Sequence, residues 1–205
     1  MSGINLPYVV TNVDGKDQSM DLITREMVMH RRIRFTGEVN DASADVVTAQ
    51  LLYLKERSDE DIELWINSPG GSVTAGQAIR DVMDEVKKTC DICTVASGLS
   101  GSMAAVLLAC GTKGKRFAAP SAEIMIHQPL GGAQGQATDI ILIADHIQHT
   151  KMKLAAILAE ACDKPVKTLM RDMERDNWKS AKEAMKYGLV DHIGFPDKNE
   201  EVMYE

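Results

Sequence analysis

Short apolar runs alternate with longer stretches of helical spacing along this chain of 205 residues. Ile33-Arg34-Phe35 predicts a short strand, and Asp41 or Ser43 is placed to cap a helix on which Val46, Val47, Leu51 and Leu54 share a face. Strand 62–66, helix 73–88, strand 91–97 and helix 103–110 follow as two strand–helix units. Repetition of such units predicts an α/β domain with short parallel strands. A further short strand begins at Glu123 and is stopped by Pro129. Gly131 to Gln136 holds too many glycines for a stable isolated strand or helix. From Ala137 to about Cys162 the spacing of Ile140, Ile141, Ile147, Leu154, Ile157 and Leu158 predicts one helix. At 1.5 Å per residue it spans about 40 Å, more than a small domain needs. Lys164 to Tyr187 is charged and helical, with a break at Asp176-Asn177. Residues 1–20 are weakly patterned, with a turn signal at Asp14-Gly15-Lys16-Asp17. No internal repeat, low-complexity tract or dividing linker interrupts the pattern.

Candidate chemistry sits where strands hand over to helices. Ser102, in Gly98-Leu99-Ser100-Gly101-Ser102-Met103, lies between an apolar strand and a helical run. A hydroxyl there projects from the end of the sheet, and a helix N-terminus favours developing negative charge. The alternative is that these residues are small because two elements pack closely. Asn67-Ser68-Pro69-Gly70-Gly71 follows another strand, and consecutive glycines leave backbone N–H groups open to a carbonyl oxygen, which makes Gly71 a candidate oxyanion donor. His127 stands at the end of the strand that Pro129 stops. Alone it reads as a bystander; beside Ser102 and Gly71 it becomes a candidate base.

Ser68-Pro69-Gly70-Gly71, Ser102-Met103, Gly114-Lys115-Arg116-Phe117 and Met125-Ile126-His127-Gln128-Pro129-Leu130-Gly131-Gly132 together resemble the proteolytic subunit of the Clp proteases. The similarity continues through Gly135 to Ile140, Arg171 to Asp176 and Tyr187 to Asp191, and covers roughly residues 8–194. The resemblance implies a crotonase-like superhelix of ββα units with a protruding handle of helix and strand at about 128–162, flanked by an N-terminal axial hairpin (1–20) and a C-terminal tail (196–205). It also implies a serine endopeptidase with Ser102 as nucleophile, His127 as base and Asp176 as the orienting carboxylate. The oxyanion amides fall on Gly71 and Met103. Without the resemblance Asp176 reads as a helix cap, with Asp172 and Glu174 equally eligible.

The same resemblance places a substrate-pairing strand at Leu130, Gly131, Gly132 and Gln134, and an interface pair at Asp139 and Arg175. It implies a homo-oligomer of two stacked heptameric rings that degrades unfolded polypeptides supplied by an AAA+ unfoldase of the ClpX or ClpA/ClpC type. Glu63, Glu85 and Gly194 stand where the family's unfoldase-docking pocket is apolar, although Trp65 is retained. An unpaired carboxylate buried against an apolar loop is costly, which puts standard docking in doubt: either the partner's loop differs, or the pocket is shared with a paralogous subunit, or the ring acts alone. A catalytically silent ring subunit and a crotonase-type acyl-CoA enzyme are the alternatives. The intact Ser102, His127 and Asp176 speak against the first, and the lack of a CoA-binding signature against the second.

Composition adds bounds. A net charge of −7 disfavours nucleic acid as a partner, and no run suggests a signal peptide or a membrane span. Cys90, Cys93, Cys110 and Cys162 lie among elements expected to be buried, which suits a reducing cytoplasm. His146 and His149 lack a third ligand at recognisable spacing, so neither a metal nor another cofactor is expected.

Overall fold

The computed structural model describes residues 6–196. Strands β1 (Tyr8–Val13) and β2 (Lys16–Asp21) pair as an antiparallel hairpin closed by Asp14 and Gly15, both at positive φ. Helix α1 (Leu22–His30) follows, capped by the Asp21 carboxylate, which accepts from the amides of Ile23 and Thr24. No residue of α1 is buried, so no core-facing stripe announces it in the sequence. After β3 (Arg32–Thr36), helix α2 (Asp41–Arg57) starts one residue before the expected caps: Asn40 is the cap, and Ser43 completes a reciprocal capping box with it. Ala44, Val47, Leu51 and Leu54 form the buried face of α2, whereas Val46, one residue off that stripe, is exposed.

Strand β4 (Ile62–Ser68) and helix α3 (Val73–Val86) are followed by β5 (Ile92–Gly101) and α4 (Met103–Ala109). The expected corner at Gly98–Gly101 is thus the continuation of β5. Strands β6 (Arg116–Ala118) and β7 (Glu123–Ile126) pair parallel with successive halves of β5, Thr94–Ala96 with β6 and Leu99–Gly101 with β7. A register shift between the two halves, with Gly98 at φ 93°, lets one strand change neighbours. Every residue of α4 is buried, so β5 delivers the chain into the middle of the core.

Helix α5 (Ala137–Ala161) is half embedded. Leu154, Ala155, Leu158 and Ala159 are buried against the core, while Ile140, Ile141, Leu142 and Ile143 are exposed. Residues 131–136, where the resemblance implied a strand, form no strand in the single chain. A strand needs a hydrogen-bonding neighbour, and the glycines there cannot substitute for one. Helix α6 (Val166–Asp172), strand β8 (Asn177–Ser180) and helix α7 (Ala181–Tyr187) occupy the segment expected to be two helices. The capping box of Ser180 with Glu183 starts α7 four residues later than an uninterrupted helix would, leaving 177–180 to pair antiparallel with β7. Strand β9 (His192–Ile193) completes the order β3-β4-β5-β6-β9, with β7 and β8 branching from β5. The buried Arg116 guanidinium binds both oxygens of Asp191 and the carbonyls of Ala109 and Ala161, fixing the segment before β9 to the sheet. No helix among the described residues is long and apolar enough to cross a membrane. The expected tail lies, but for residue 196, outside the described residues.

Candidate active site

The end of β5 imposes an unusual backbone on Ser102, at φ 53° and ψ −122°. A non-glycine residue there is strained, and the strain persists only because the surroundings hold it. Its amide donates to the Met125 carbonyl at 2.7 Å, tying the turn to β7, and the buried helix α4 anchors the other side. The hydroxyl is thereby aimed away from the core, as in the strained strand-to-helix turns that expose a nucleophile. Ser100, by contrast, is fully buried within β5.

Strand β7 ends at Ile126 and presents His127 next to this turn. Antiparallel pairing puts Ile126 opposite Asn177, so the residues one step beyond, His127 and Asp176, face each other. His127 Nε2 lies 2.8 Å from Ser102 Oγ, and His127 Nδ1 lies 3.0 Å from Asp176 Oδ1. In the neutral tautomer with the proton on Nδ1, the ring donates to the carboxylate and accepts from the hydroxyl. That arrangement can remove the serine proton while holding the ring in place.

Glycines make the approach to Ser102 possible. A Cβ built on Gly70, at φ 94°, would lie 2.6 Å from the Gly101 carbonyl, 2.7 Å from Ser102 Cβ and 3.0 Å from the Met103 amide. The turn carrying Gly71 therefore abuts the Ser102–Met103 step. Gly71 itself bridges to Val39, whose carbonyl occupies the space a side chain would need. Gly70 is a site residue that sequence reading passed over in favour of Gly71, although the doubled glycine was the signal.

A small apolar cavity lies beneath Ser102 and His127, lined by Val73, Val106, Ile126, Leu154, Leu158 and Met173. No charged side chain lines it. Met103 packs over Gly76, where a Cβ would fall 2.2 Å from the Met103 Cγ, so helix α3 is held close against α4 at the cavity wall. The four cysteines are free and buried. Burial pushes the Cys93 thiol up to about 12 and that of Cys162 up to about 11, so neither offers a thiolate near neutrality.

The remaining expected residues divide. Leu130, Gly131, Gly132 and Gln134 are exposed beside the site, with Gly131 against Ile147 of α5. Asp139, in the first turn of α5, and Arg175, next to Asp176, are both exposed, and no contact within the chain joins them among the described residues. Glu63 is not the unpaired carboxylate expected from its type: Arg32 Nε and Trp65 Nε1 donate to it at 2.7 and 2.8 Å. Glu85 is exposed; hydrogen bonds from Lys88 and then Lys55 lower its carboxyl to about 2. Gly194 adopts φ 123°, a backbone that glycine accepts without strain.

Three features went unannounced by the sequence. Gln128 donates through its amide to the Met173 carbonyl at 2.6 Å and through Nε2 to the Glu174 carbonyl at 2.9 Å. Lys151, buried in α5, donates to Glu174 Oε2 at 2.6 Å. Trp65 carries Phe195 stacked on its ring and the Arg32 guanidinium 4.5 Å from its centroid.

Comparison with known families adds an independent finding. A family model described as Clp protease matches residues 15–197, a span that takes in the mainly parallel sheet, the seven helices among the described residues and every residue of the site just described. The mainly parallel sheet and its helices fit the ClpP/crotonase-like fold that the family adopts. The match covers most of the chain, and the chain belongs to the Clp protease family.

Proposed function

We propose that this Clp-type peptidase subunit is a serine endopeptidase that works inside a ring assembly on unfolded polypeptides. The observation that carries the proposal is the continuous relay from Ser102 Oγ through His127 to Asp176. His127 Nε2 takes the hydroxyl proton as Ser102 attacks the scissile carbonyl. The oxyanion is held by the N–H groups of Gly71 and Met103, donors worth about 100-fold to 1,000-fold in rate each. The imidazolium, oriented by Asp176, returns its proton to the leaving amine. A water activated by the same nitrogen then hydrolyses the acyl-enzyme.

The surfaces support a reading of assembly and supply. The exposed Ile140, Ile141, Leu142 and Ile143 on the projecting half of α5 favour burial against a second copy, with Asp139 and Arg175 as the interface pair. The unpaired backbone of 130–134 suits an extended peptide that adds as a strand, which gives low sequence specificity. We place the protein in a reducing cytoplasm, in keeping with its free cysteines. An AAA+ unfoldase is the proposed supplier. Its docking loop would meet a Trp65 surface already bracketed by Arg32 and Phe195, so a purely apolar loop is a poor match.

The cavity makes the reading testable. A charged P1 side chain would be buried there without a partner, at a cost of several kcal/mol. Peptide reporters with Leu or Met at P1 are expected to be cleaved at least about 100-fold faster, in kcat/KM, than the same peptides with Asp at P1. Cleavage indifferent to P1 charge would mean that this cavity does not receive the substrate.

A further inference from the structure

Lys151 stands apart from the catalytic relay but touches its support. It sits midway along α5 with its side chain buried, and its ammonium donates to Glu174 Oε2 at 2.6 Å. Glu174 is itself largely exposed. Its carboxyl is held below the ordinary carboxylate range, chiefly by that hydrogen bond. Burying an ammonium is unfavourable unless a charge answers it, so the pair adds a polar tie between α5 and a loop whose Met173 already packs with Leu154 and Leu158 of that helix.

The loop in question carries Asp176. The loop is held on one side by Gln128, which follows the base in sequence and donates to the carbonyls of Met173 and Glu174. On the other side the Lys151–Glu174 pair attaches it to α5. Asp176 lies two residues further on, with 62% of its side chain exposed, so little packing of its own orients it. The pairing of β8 with β7 sets it opposite His127, and the attachment of its loop holds it from the other side.

We infer that Lys151 is a positioning residue: through Glu174 it fixes the loop that presents Asp176 to His127. The inference rests on the peptidase reading above.

The asymmetry of exposure gives a clean variant. Lys151→Met keeps the volume of the stem and leaves Glu174 in water, so the fold is retained. It is expected to lower kcat on a Leu-P1 peptide about tenfold or more, the scale of a misplaced catalytic group, with KM within about twofold. Lys151→Arg, which can still reach the carboxylate, is expected to restore most of kcat. Glu174→Gln weakens the pair from its other end and is expected to lower kcat in the same way, with the double variant no worse than Lys151→Met. All samples are compared as assembled rings of equal sedimentation. Wild-type kcat in Lys151→Met, a change in KM alone, loss of assembly by that variant, or no recovery in Lys151→Arg would each overturn the inference. A wild type without peptidase activity would bring down the reading beneath it, and the inference with it.

Discussion

Replacing Asp176 by Asn is expected to lower kcat/KM on a Leu-P1 peptide about 10,000-fold while leaving the fold intact. The carboxylate accepts from His127 Nδ1 at 3.0 Å and so keeps the ring's other nitrogen, 2.8 Å from Ser102 Oγ, free to accept a proton. An amide in its place can donate to Nδ1, which moves the ring proton to Nε2 and points it at the hydroxyl it should deprotonate. Asp176 is exposed, so the substitution costs little stability. Asp172→Asn is the matched control. Its carboxylate accepts from Tyr187 Oη at 2.8 Å and has no part in the relay, so its effect on rate is expected to stay within about tenfold. Equal losses in the two variants would show that the loop tolerates no change at all, and would remove the argument for Asp176.

Gly70→Ala is the second large effect, and it acts on both stability and rate. The added Cβ would meet the Gly101 carbonyl at 2.6 Å and Ser102 Cβ at 2.7 Å, and the former is backbone that cannot swing aside. Overpacking of this kind costs about 1–3 kcal/mol, and the positive φ adds roughly 1 kcal/mol or more. Gly37 separates the two terms, since it has the same φ of 94° with nothing within 4 Å of a built Cβ. Denaturant unfolding is expected to show Gly70→Ala less stable than Gly37→Ala by the overpacking term. Only Gly70→Ala is expected to lose activity, by about 100-fold or more, because the Gly71 and Ser102–Met103 segments would be forced apart. Equal stability and activity in the two variants would mean that the close approach of the two turns is not needed.

Local patterns carried much of the fold. The strand–helix alternation through β3, α2, β4, α3, β5 and α4 was readable because α2 and α3 each bury one stripe, α4 is apolar throughout and the strands carry short apolar runs. The placement of Ser102 and Gly71 at element ends was readable for the same reason, since periodicity locates those ends. What escaped was set by pairing rather than by pattern. Strand β8 has the sequence Asn177-Trp178-Lys179-Ser180, alternately half-buried and exposed, and no apolar run marks it. It exists because β7 offers an edge. The choice of Asp176 over Asp172 and Glu174 depends on that same edge, through the register Ile126 with Asn177. Each of the three carboxylates has a partner, Asp172 in Tyr187, Glu174 in Lys151 and Asp176 in His127, and composition cannot rank them. Glu63 was misjudged for a related reason: its partner Arg32 lies on the neighbouring strand, in direct register with it. Lys151 reads as a solvated helix residue until the fold puts its turn of α5 against the loop after α6.

The central claim is that Ser102 is a nucleophile activated by His127, and the most direct measurement is covalent labelling by a fluorophosphonate probe, with the modified residue located by mass spectrometry. The account predicts that the assembled wild type and Ser100→Ala label on Ser102 at similar rates, and that Ser102→Ala does not label. Buried Ser100 has no route to the probe. An assembled wild-type ring that never labels, or a Ser102→Ala variant that labels as fast as the wild type, would contradict the account.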